Sequence, residues 1–525
     1  MLGKPGSPFP RNPRLVTMSV IRLLSAAFLA AALLGSSALA ETAHVTFVLV
    51  NDVYQAADQM TPDGRRRGGF ARLAAIVKAE RAKANAAGGR VILAHGGDTL
   101  SPSVLSGIDH GAHIVTLTNL VAPDIFVPGN HEFDFGKEIF LQRMAEASFP
   151  VYAANLRGPD GRQLRNFQDR SIVIVGGVRI GLSGAAYDKS AMVSDPKDLK
   201  FSPTIATLTE QAAALRREGA DFVVAVAHAT REQGYALLHD HAADLVLTGH
   251  THDLLVNYDG IGALVESSYD ARYVTAIDVT IGVKEADGRR VTTWWPEFRV
   301  IDSATVTPDP EVAALVARLE QGLDRELDVP IATTAVELDS RVATVRTQET
   351  AIGNLIADAM RSSGNADAAM TNAGGIRGGR IYAPGASITR RDILGELPFG
   401  NRVVTIETSG GDLRRALENG LSRLPNGSGR FPQVSGLSLQ ADVSRPAGHR
   451  VTSVRIGDAP LDERKTYRLA VNDFMARGGD DYEVFAAAKP LLPIADSPLL
   501  TEEVIEHIRQ LGTVRSTVEG RIVLK

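Results

Sequence analysis

Cysteine is absent from all 525 residues. That absence removes disulfides, thiolate metal ligands and a cysteine nucleophile together. Long apolar runs are equally scarce. Beyond residue 40 no stretch is apolar enough to cross a bilayer, which takes ~20 consecutive apolar residues. Acidic residues are missing from positions 1–40, which carry Lys4, Arg11, Arg14 and Arg22. Of the 56 basic residues, 52 therefore lie in 41–525 against all 61 acidic ones, a net charge of −9. Such a balance argues against binding polymeric nucleic acid or an anionic membrane. A small anionic substrate stays open wherever arginines cluster. Internal repeats are lacking too, and the only low-complexity tract is the apolar segment near the start.

That segment, residues 20–40, reads VIRLLSAAFLAAALLGSSALA. Arg22 precedes an Ala/Leu core, and the run ends in Ala38-Leu39-Ala40, the layout of a secretory signal cleaved before Glu41. A membrane anchor is the other reading, disfavoured because the core is shorter than a span; no cysteine is present to carry a lipid. Residues 1–40 are accordingly expected to be a signal peptide and the mature protein periplasmic or secreted, free of the membrane after cleavage. Met18, just ahead of the segment, is an alternative start. With 44% hydrophobic and 22% charged residues, the remainder reads as globular and too long for one core, so two large domains or three small ones are expected.

From Val45 onward, short apolar runs alternate with helical stretches. Segments 45–50, 90–98, 124–130, 150–156, 171–184, 221–228 and 244–250 read as buried strands, several ending in Gly, Asp, Asn or His. Residues 69–84 and 204–218 read as amphipathic helices, which makes 41–302 a layered α/β domain whose site belongs at the strand ends. Proline punctuation before Val312, Val316, Leu319, Leu323 and Leu327 predicts a one-faced linker helix within 303–330. Residues 331–525 form a second, smaller α/β domain, with a helix at 351–361 and strands at 402–409 and 466–473.

Chemistry-bearing side chains gather at five strand ends: Asp52 in VNDVY, Asp98 in HGGD, Asn130, His131 and Asp134 in GNHEFD, His228 in VAHA, and His250 and His252 in TGHTHD. Singly, Asp52 or Asp98 reads equally as a turn cap and His228 as a satisfied buried imidazole. Together, five clusters using oxygen and nitrogen but no sulfur suit Mn, Zn, Fe or Co better than Ca or Mg. Two such ions about 3.5–4 Å apart would share a carboxylate and clamp a phosphoryl group. Gly129 and Gly136 flank the third cluster and are expected to let its backbone turn tightly.

With these motifs in this order, the chain resembles the calcineurin-like metallophosphoesterases, and from about 45 to 520 it is similar to the bacterial periplasmic 5′-nucleotidase/UDP-sugar hydrolase family. The pairing of GNHEFD with GHTH is the specific part of the match. The resemblance implies an N-terminal metallophosphoesterase domain, a C-terminal nucleotide-recognition domain and two divalent metal ions. It makes Asp98 the bridging ligand, places Asp52 and His252 on one ion and Asn130, His228 and His250 on the other. It assigns His131, oriented by Asp134, as general acid or transition-state stabiliser. One position departs from the pattern: relatives commonly read Asp-x-His in the first motif, where this chain has Asp52-Val53-Tyr54. Tyr54 is left as a residue that lines the site or merely packs.

The second half carries TNAGGIRGG (371–379), ELPFGN (396–401) and VNDFMARGGDDY (471–482). A glycine-rich turn with an arginine presents amides and a guanidinium to an anion. The resemblance adds Phe399 and Phe474 stacking on a nucleobase, Asp480 on the ribose hydroxyls, and Asn372, Arg377 and Arg346 touching substrate. The activity it implies is removal of the 5′-phosphate of nucleotides. The alternatives are 2′,3′-cyclic-nucleotide phosphodiesterase with 3′-nucleotidase activity, UDP-sugar hydrolysis, and a catalytically weak nucleotide binder.

Overall fold

Alternation along the strand Glu41–Val50 decides the architecture of the first half. Phe47 and Leu49 point into one apolar core while Val48 and Val50 point into another, as the two-residue period of a strand requires. The structure, a computed structural model, describes residues 41–525 apart from Pro62, Asp287, Gly288, Pro493, Ala495 and Asp496, and apart from the side chains of 323–326. The expected signal segment and the side chain of Leu323 lie outside the described residues.

Glu41–Val50 runs parallel to Arg90–His95, which in turn pairs in parallel with Ile125–Phe126, and antiparallel to the long strand Tyr273–Ala286. These belong to a seven-stranded sheet; a six-stranded sheet holds Val178–Ala185, Phe222–His228, Leu245–Gly249 and Ala263–Ser267 in parallel. The sheets face each other across Phe47, Leu49, Ile92, Val127, Leu182, Val224 and Leu247. Helices Phe70–Ala86, Ala112–Val121 and Gly136–Glu146 cover the outer face of the first sheet, and Thr204–Arg217 and Arg231–His239 that of the second.

Two local readings of the sequence are revised. Residues 171–184 are not one buried strand but a hairpin: Arg170–Val175 pairs antiparallel with Val178–Ala185 around Gly176-Gly177, and its first arm is only partly covered. A Gly-Gly pair between two apolar runs favours such a turn. The helix Pro310–Leu327 forms where expected, yet Val312 and Val316 sit in the N-terminal core beside Phe70–Ala86, and Lys78 pairs with Asp309 at 2.6 Å. Its first turns are thus attached to the first half rather than free between the halves.

A separate apolar core gathers residues from Ala332 to Ile522. It lies around a five-stranded sheet containing Ala368–Asn372, Val403–Ser409 and Thr466–Asn472, with helix Ala351–Ser363 packed on it. Asn372 and Asn472 end two parallel neighbours, Ala368–Asn372 and Thr466–Asn472, and the segments that face the first half follow them.

Candidate metal centre and substrate pocket

Four of the expected metal-binding residues adopt backbone conformations that side chains normally avoid: Asp52 (φ 55°), Asp98 (φ 57°), His250 (φ 105°) and His252 (φ 62°). Each lies just past the end of a parallel strand, where the chain must turn sharply to aim a side chain across the sheet edge. Such strain persists only where the surroundings over-determine it, and it concentrates at functional sites.

The turns bring the clusters together. His228 Nε2 lies 3.0 Å from Asp98 Oδ2 and 3.1 Å from His250 Nδ1, and Asp98, His228 and His250 each offer a ligand atom within 4.8 Å of the others. His252 Nε2 lies 3.2 Å from Asp52 Oδ1. Asp98 also accepts the backbone N–H of His131 at 2.8 Å through Oδ1. His228 Nδ1–H donates to the Gly96 carbonyl at 2.8 Å, which fixes the ring so that Nε2 faces the carboxylates.

The charge pattern fits divalent cations. Asp52 and Asp98 are 0% and 1% exposed, and among the described residues neither pairs with a lysine or arginine, only with imidazoles. Buried carboxylates without cationic partners are costly. Burial pulls the His228 imidazole down, but the Asp98 carboxylate outweighs it and raises the pKa to about 10: positive charge is in demand at this spot. Asn130 Oδ1 is buried and accepts nothing, an orphan acceptor on a residue that lines the same cavity as Asp98 and His250. The imidazole, carboxylate and amide donors suit a transition-metal ion or zinc.

His131 stands beside the cluster with Nδ1 2.6 Å from Asp134 Oδ2, while the Ser194 hydroxyl donates to Asp134 Oδ1 at 2.7 Å. Burial opposes an imidazolium here, yet the Asp134 and Asp98 carboxylates hold the His131 pKa above its ordinary value. Gly129 works by clearance: a Cβ there would lie 2.0 Å from Asp98 Oδ1. Gly136 does take the left-handed conformation (φ 85°), at the start of helix Gly136–Glu146.

Glu132, the one charged residue of GNHEFD not singled out in the sequence, accepts four backbone N–H groups, from Gly129 (2.5 Å), Asp98 (2.9 Å), Thr99 (2.7 Å) and Leu100 (3.2 Å). It ties the Asp98 loop to the Asn130 loop. Burial and the nearby Asp98 charge push it up to about 7, against the pull of these donors. Its place inside the motif was the only signal for it. Tyr54 does line the site: its hydroxyl is 3.0 Å from Asp52 Oδ1, 3.1 Å from His252 Nε2 and 3.4 Å from Asp98 Oδ2. Burial pushes its phenol well above the usual range, with Asp52 and Asp98 adding to the shift.

The opposite wall comes from the second half. Asp480, also left-handed (φ 55°), accepts from Asn372 Nδ2 at 2.7 Å, and Asn372 Oδ1 accepts from Asn472 at 2.8 Å. Arg377 Nε donates to the Gly374 carbonyl at 2.9 Å, and its guanidinium lies 5.0 Å from the Phe399 ring centre. Arg346 has a buried Nε without a partner, and burial together with the like charge of Arg377 lowers its pKa to about 10. Phe399 stacks on His131 at 5.7 Å between ring centres and 14° between planes, whereas Phe474 packs against Gly479. The two phenylalanines share the pocket without stacking on each other.

All the expected site residues except Asp52 and His228 line a single cavity of about 400 Å³; Tyr54 and Tyr187 line it as well. Asp52 and His228 are fully buried and contact the lining residues His252, Asp98 and His250.

Comparison with known proteins bears on the two halves of the chain. A family model described as calcineurin-like phosphoesterase matches residues 45–254, and one described as 5′-nucleotidase, C-terminal domain, matches residues 330–487. The Lutzomyia longipalpis protein named 5NUC is 28% identical, over 94% of this chain and 95% of its own. The human 5′-nucleotidase is 26% identical over 91% of this chain and 90% of its own. A 5′-nucleotidase precursor from Thermus thermophilus superposes with a TM-score of 0.77 at 25% identity, covering 92% of this chain and 99% of that one.

Proposed function

Since the chain belongs to the family that joins a calcineurin-like phosphoesterase domain to a 5′-nucleotidase C-terminal domain, and is thereby a hydrolase of nucleotide phosphoesters, we propose that it removes the 5′-phosphate of nucleotides to leave nucleoside and inorganic phosphate. The observation that carries this reading is the shared cavity: carboxylates and imidazoles on one wall, aromatic rings, arginines and Asp480 on the other. One wall suits a phosphoryl group, the other a base and ribose.

In this reading Asn130, His228 and His250 would hold one divalent ion and Asp52 and His252 a second, with Asp98 available to both. When bound, such ions neutralise phosphoryl charge and activate water. His131 keeps Nδ1 on Asp134, leaving Nε2 to protonate the leaving ribose oxygen or hold charge on a phosphoryl oxygen. Arg346, Arg377 and Asn372 grip the substrate, Asp480 takes ribose hydroxyls, and Phe399 and Phe474 hold the base. The metal domain spans 41–302 and the recognition domain 331–525, joined through 303–330. Export fits the same reading: residues 20–40 have the signal layout, the Thermus relative is described as a precursor, and among the described residues no helix is long and apolar enough to cross a membrane.

A second cavity of about 1110 Å³ adjoins the first, sharing Asp134, Asp195, Phe399, Asn401 and Arg477 with it. It favours UDP-sugar hydrolysis as the second reading, because a longer diphosphate ester needs room beyond the nucleoside. Phosphate release from AMP, 3′-AMP, 2′,3′-cyclic AMP, UDP-glucose and an aryl phosphate, each with Mn²⁺ or Zn²⁺, tests both. AMP is expected to turn over fastest. Faster UDP-glucose cleavage would replace the first reading by the second, and binding of AMP without turnover under either ion would leave only a nucleotide binder.

A further inference from the structure

We propose that Glu396 is a positioning residue for substrate recognition: its buried carboxylate locks the turn that carries Arg377 to the turn that carries Phe399, and so sets the grip of the second half on a nucleotide. The proposal rests on the reading of Arg377 and Phe399 as substrate contacts and deepens it.

Two successive N–H groups of the glycine-rich turn end on this one residue. Arg377 N–H donates to the Glu396 backbone carbonyl at 2.8 Å, and Gly378 N–H donates to its Oε2 at 3.0 Å. The other oxygen, Oε1, accepts from the Tyr382 hydroxyl at 2.8 Å, and that hydroxyl in turn accepts from Arg380 Nη2 at 2.9 Å. Gly378 leaves the carboxylate its room, since a Cβ there would lie 1.9 Å from Oε1. Glu396 closes the helix Arg390–Glu396, three residues ahead of Phe399. One side chain thereby joins both recognition turns.

The arginine turn needs such an anchor on one side only. Ahead of Arg377, Ile376 is fully buried in the core of the second half. Behind it come Gly378 and Gly379, which have no side chains to pack, and Gly379 is left-handed (φ 66°). Glycines impose little conformation of their own, so on that side the fixing contacts are those to Glu396. The arginine held in this way places its guanidinium 5.0 Å from the Phe399 ring centre, and Phe399 lies on His131. A carboxylate is a costly anchor here, because Glu396 is 0% exposed and both of these side-chain contacts are with neutral donors. Burial pushes its carboxyl up, and the Tyr382 and Gly378 donors only partly offset that. What the spot demands is an acceptor for a buried N–H, which an apolar side chain does not supply.

The test compares zinc-loaded wild type with Glu396→Leu, which fills the space without an acceptor, and Glu396→Gln, which keeps one. Phosphate release from AMP and from an aryl phosphate is measured on each, together with AMP affinity by calorimetry. Glu396→Leu is expected to raise KM for AMP about tenfold, as displaced positioning groups do, with kcat and zinc content little changed and the aryl phosphate much less affected. Glu396→Gln is expected to recover most of the wild-type KM. An unchanged KM for AMP in Glu396→Leu overturns the proposal. So does an equal rise for both substrates, or a rise that Glu396→Gln does not reduce, since either marks a general disturbance of the fold. If Glu396→Leu does not fold, Tyr382→Phe, which frees Oε1 alone, decides: a KM for AMP raised at least about twofold supports the role, and an unchanged KM overturns it. Wild type that binds AMP without releasing phosphate overturns the nucleotidase reading, and the calorimetric affinities of the same variants then test Glu396 in place of KM. Wild type that neither binds nor cleaves AMP overturns both.

Discussion

The two walls of the pocket are built differently. On the side proposed to hold metal, Asp52, Asp98, His228 and His250 sit on or just past the ends of parallel strands, nearly all buried, and three of the four side chains are held by backbone: Asp98 by the His131 N–H, Asp52 by the His250 N–H at 2.9 Å, His228 by the Gly96 carbonyl. On the substrate side, Phe399 follows the short helix Arg390–Glu396, Phe474 lies in the four-residue helix Asp473–Ala476 and Asp480 in a single 3₁₀ turn. On the proposed reading, positions that would have to meet an ion to within a few tenths of an ångström stand on the rigid sheet edges, and groups that would recognise a base stand on short connecting segments, where side chains change without disturbing a core.

Substitutions on either wall test that contrast. The largest effect is expected from Gly129→Ala, whose Cβ would lie 2.0 Å from Asp98 Oδ1 and 2.7 Å from His228 Cε1. Metal analysis should find the centre emptied and phosphate release abolished, while nucleoside binding, measured by calorimetry, persists on the other wall; retained metal would show that the loops yield more than the packing suggests. His131→Ala comes next: turnover should fall about 10²–10⁴-fold, the usual worth of a general acid, with metal content unchanged. Loss of metal would instead move His131 into coordination.

On the recognition side the expected effects are smaller and selective. Phe474→Ala should raise KM for AMP by about tenfold or more, since stacking a base on an aromatic ring is worth about 1–3 kcal/mol, and should leave an aryl phosphate much less affected. Equal effects on both substrates would break the division of labour between the walls. The smallest change is expected for Ser194→Ala, which removes one hydrogen bond to Asp134, worth about 1 kcal/mol. It should slow turnover several-fold without altering KM, and Ser194→Thr should recover the rate.

The legibility of the two walls differed in the same way. Residues on the metal side could be singled out because turn capping rarely accounts for five apolar strands that each end in Asp, Asn or His, and the sheet edge then collects them. The glycines of GNHEFDFG were visible, but not that Gly129 makes room for a carboxylate while Gly136 supplies a left-handed turn. Glu132 was passed over because a carboxylate that caps four amides looks, in sequence, like any other acid. The strands Tyr273–Ala286 and Arg289–Asp302 are not among the segments legible as strands in the sequence; they pair antiparallel over their full length, and the first of them lies against Glu41–Val50 with Ile277, Val279 and Ile281 in the core between the sheets, a placement that only the tertiary pairing fixes.

By itself the sequence determined the chemistry available: no cysteine thiol, carboxylates and imidazoles at strand ends, aromatics and arginines in the second half. Those are properties of single residues and of their spacing along one element. The tertiary structure alone decided that Tyr54 faces Asp52, Asp98 and His252, that Phe399 lies on His131 across the two halves, and that the helix Pro310–Leu327 docks on the first core. Each of those contacts depends on how segments far apart in the chain come to rest against one another, and local pattern carries no information about that distance.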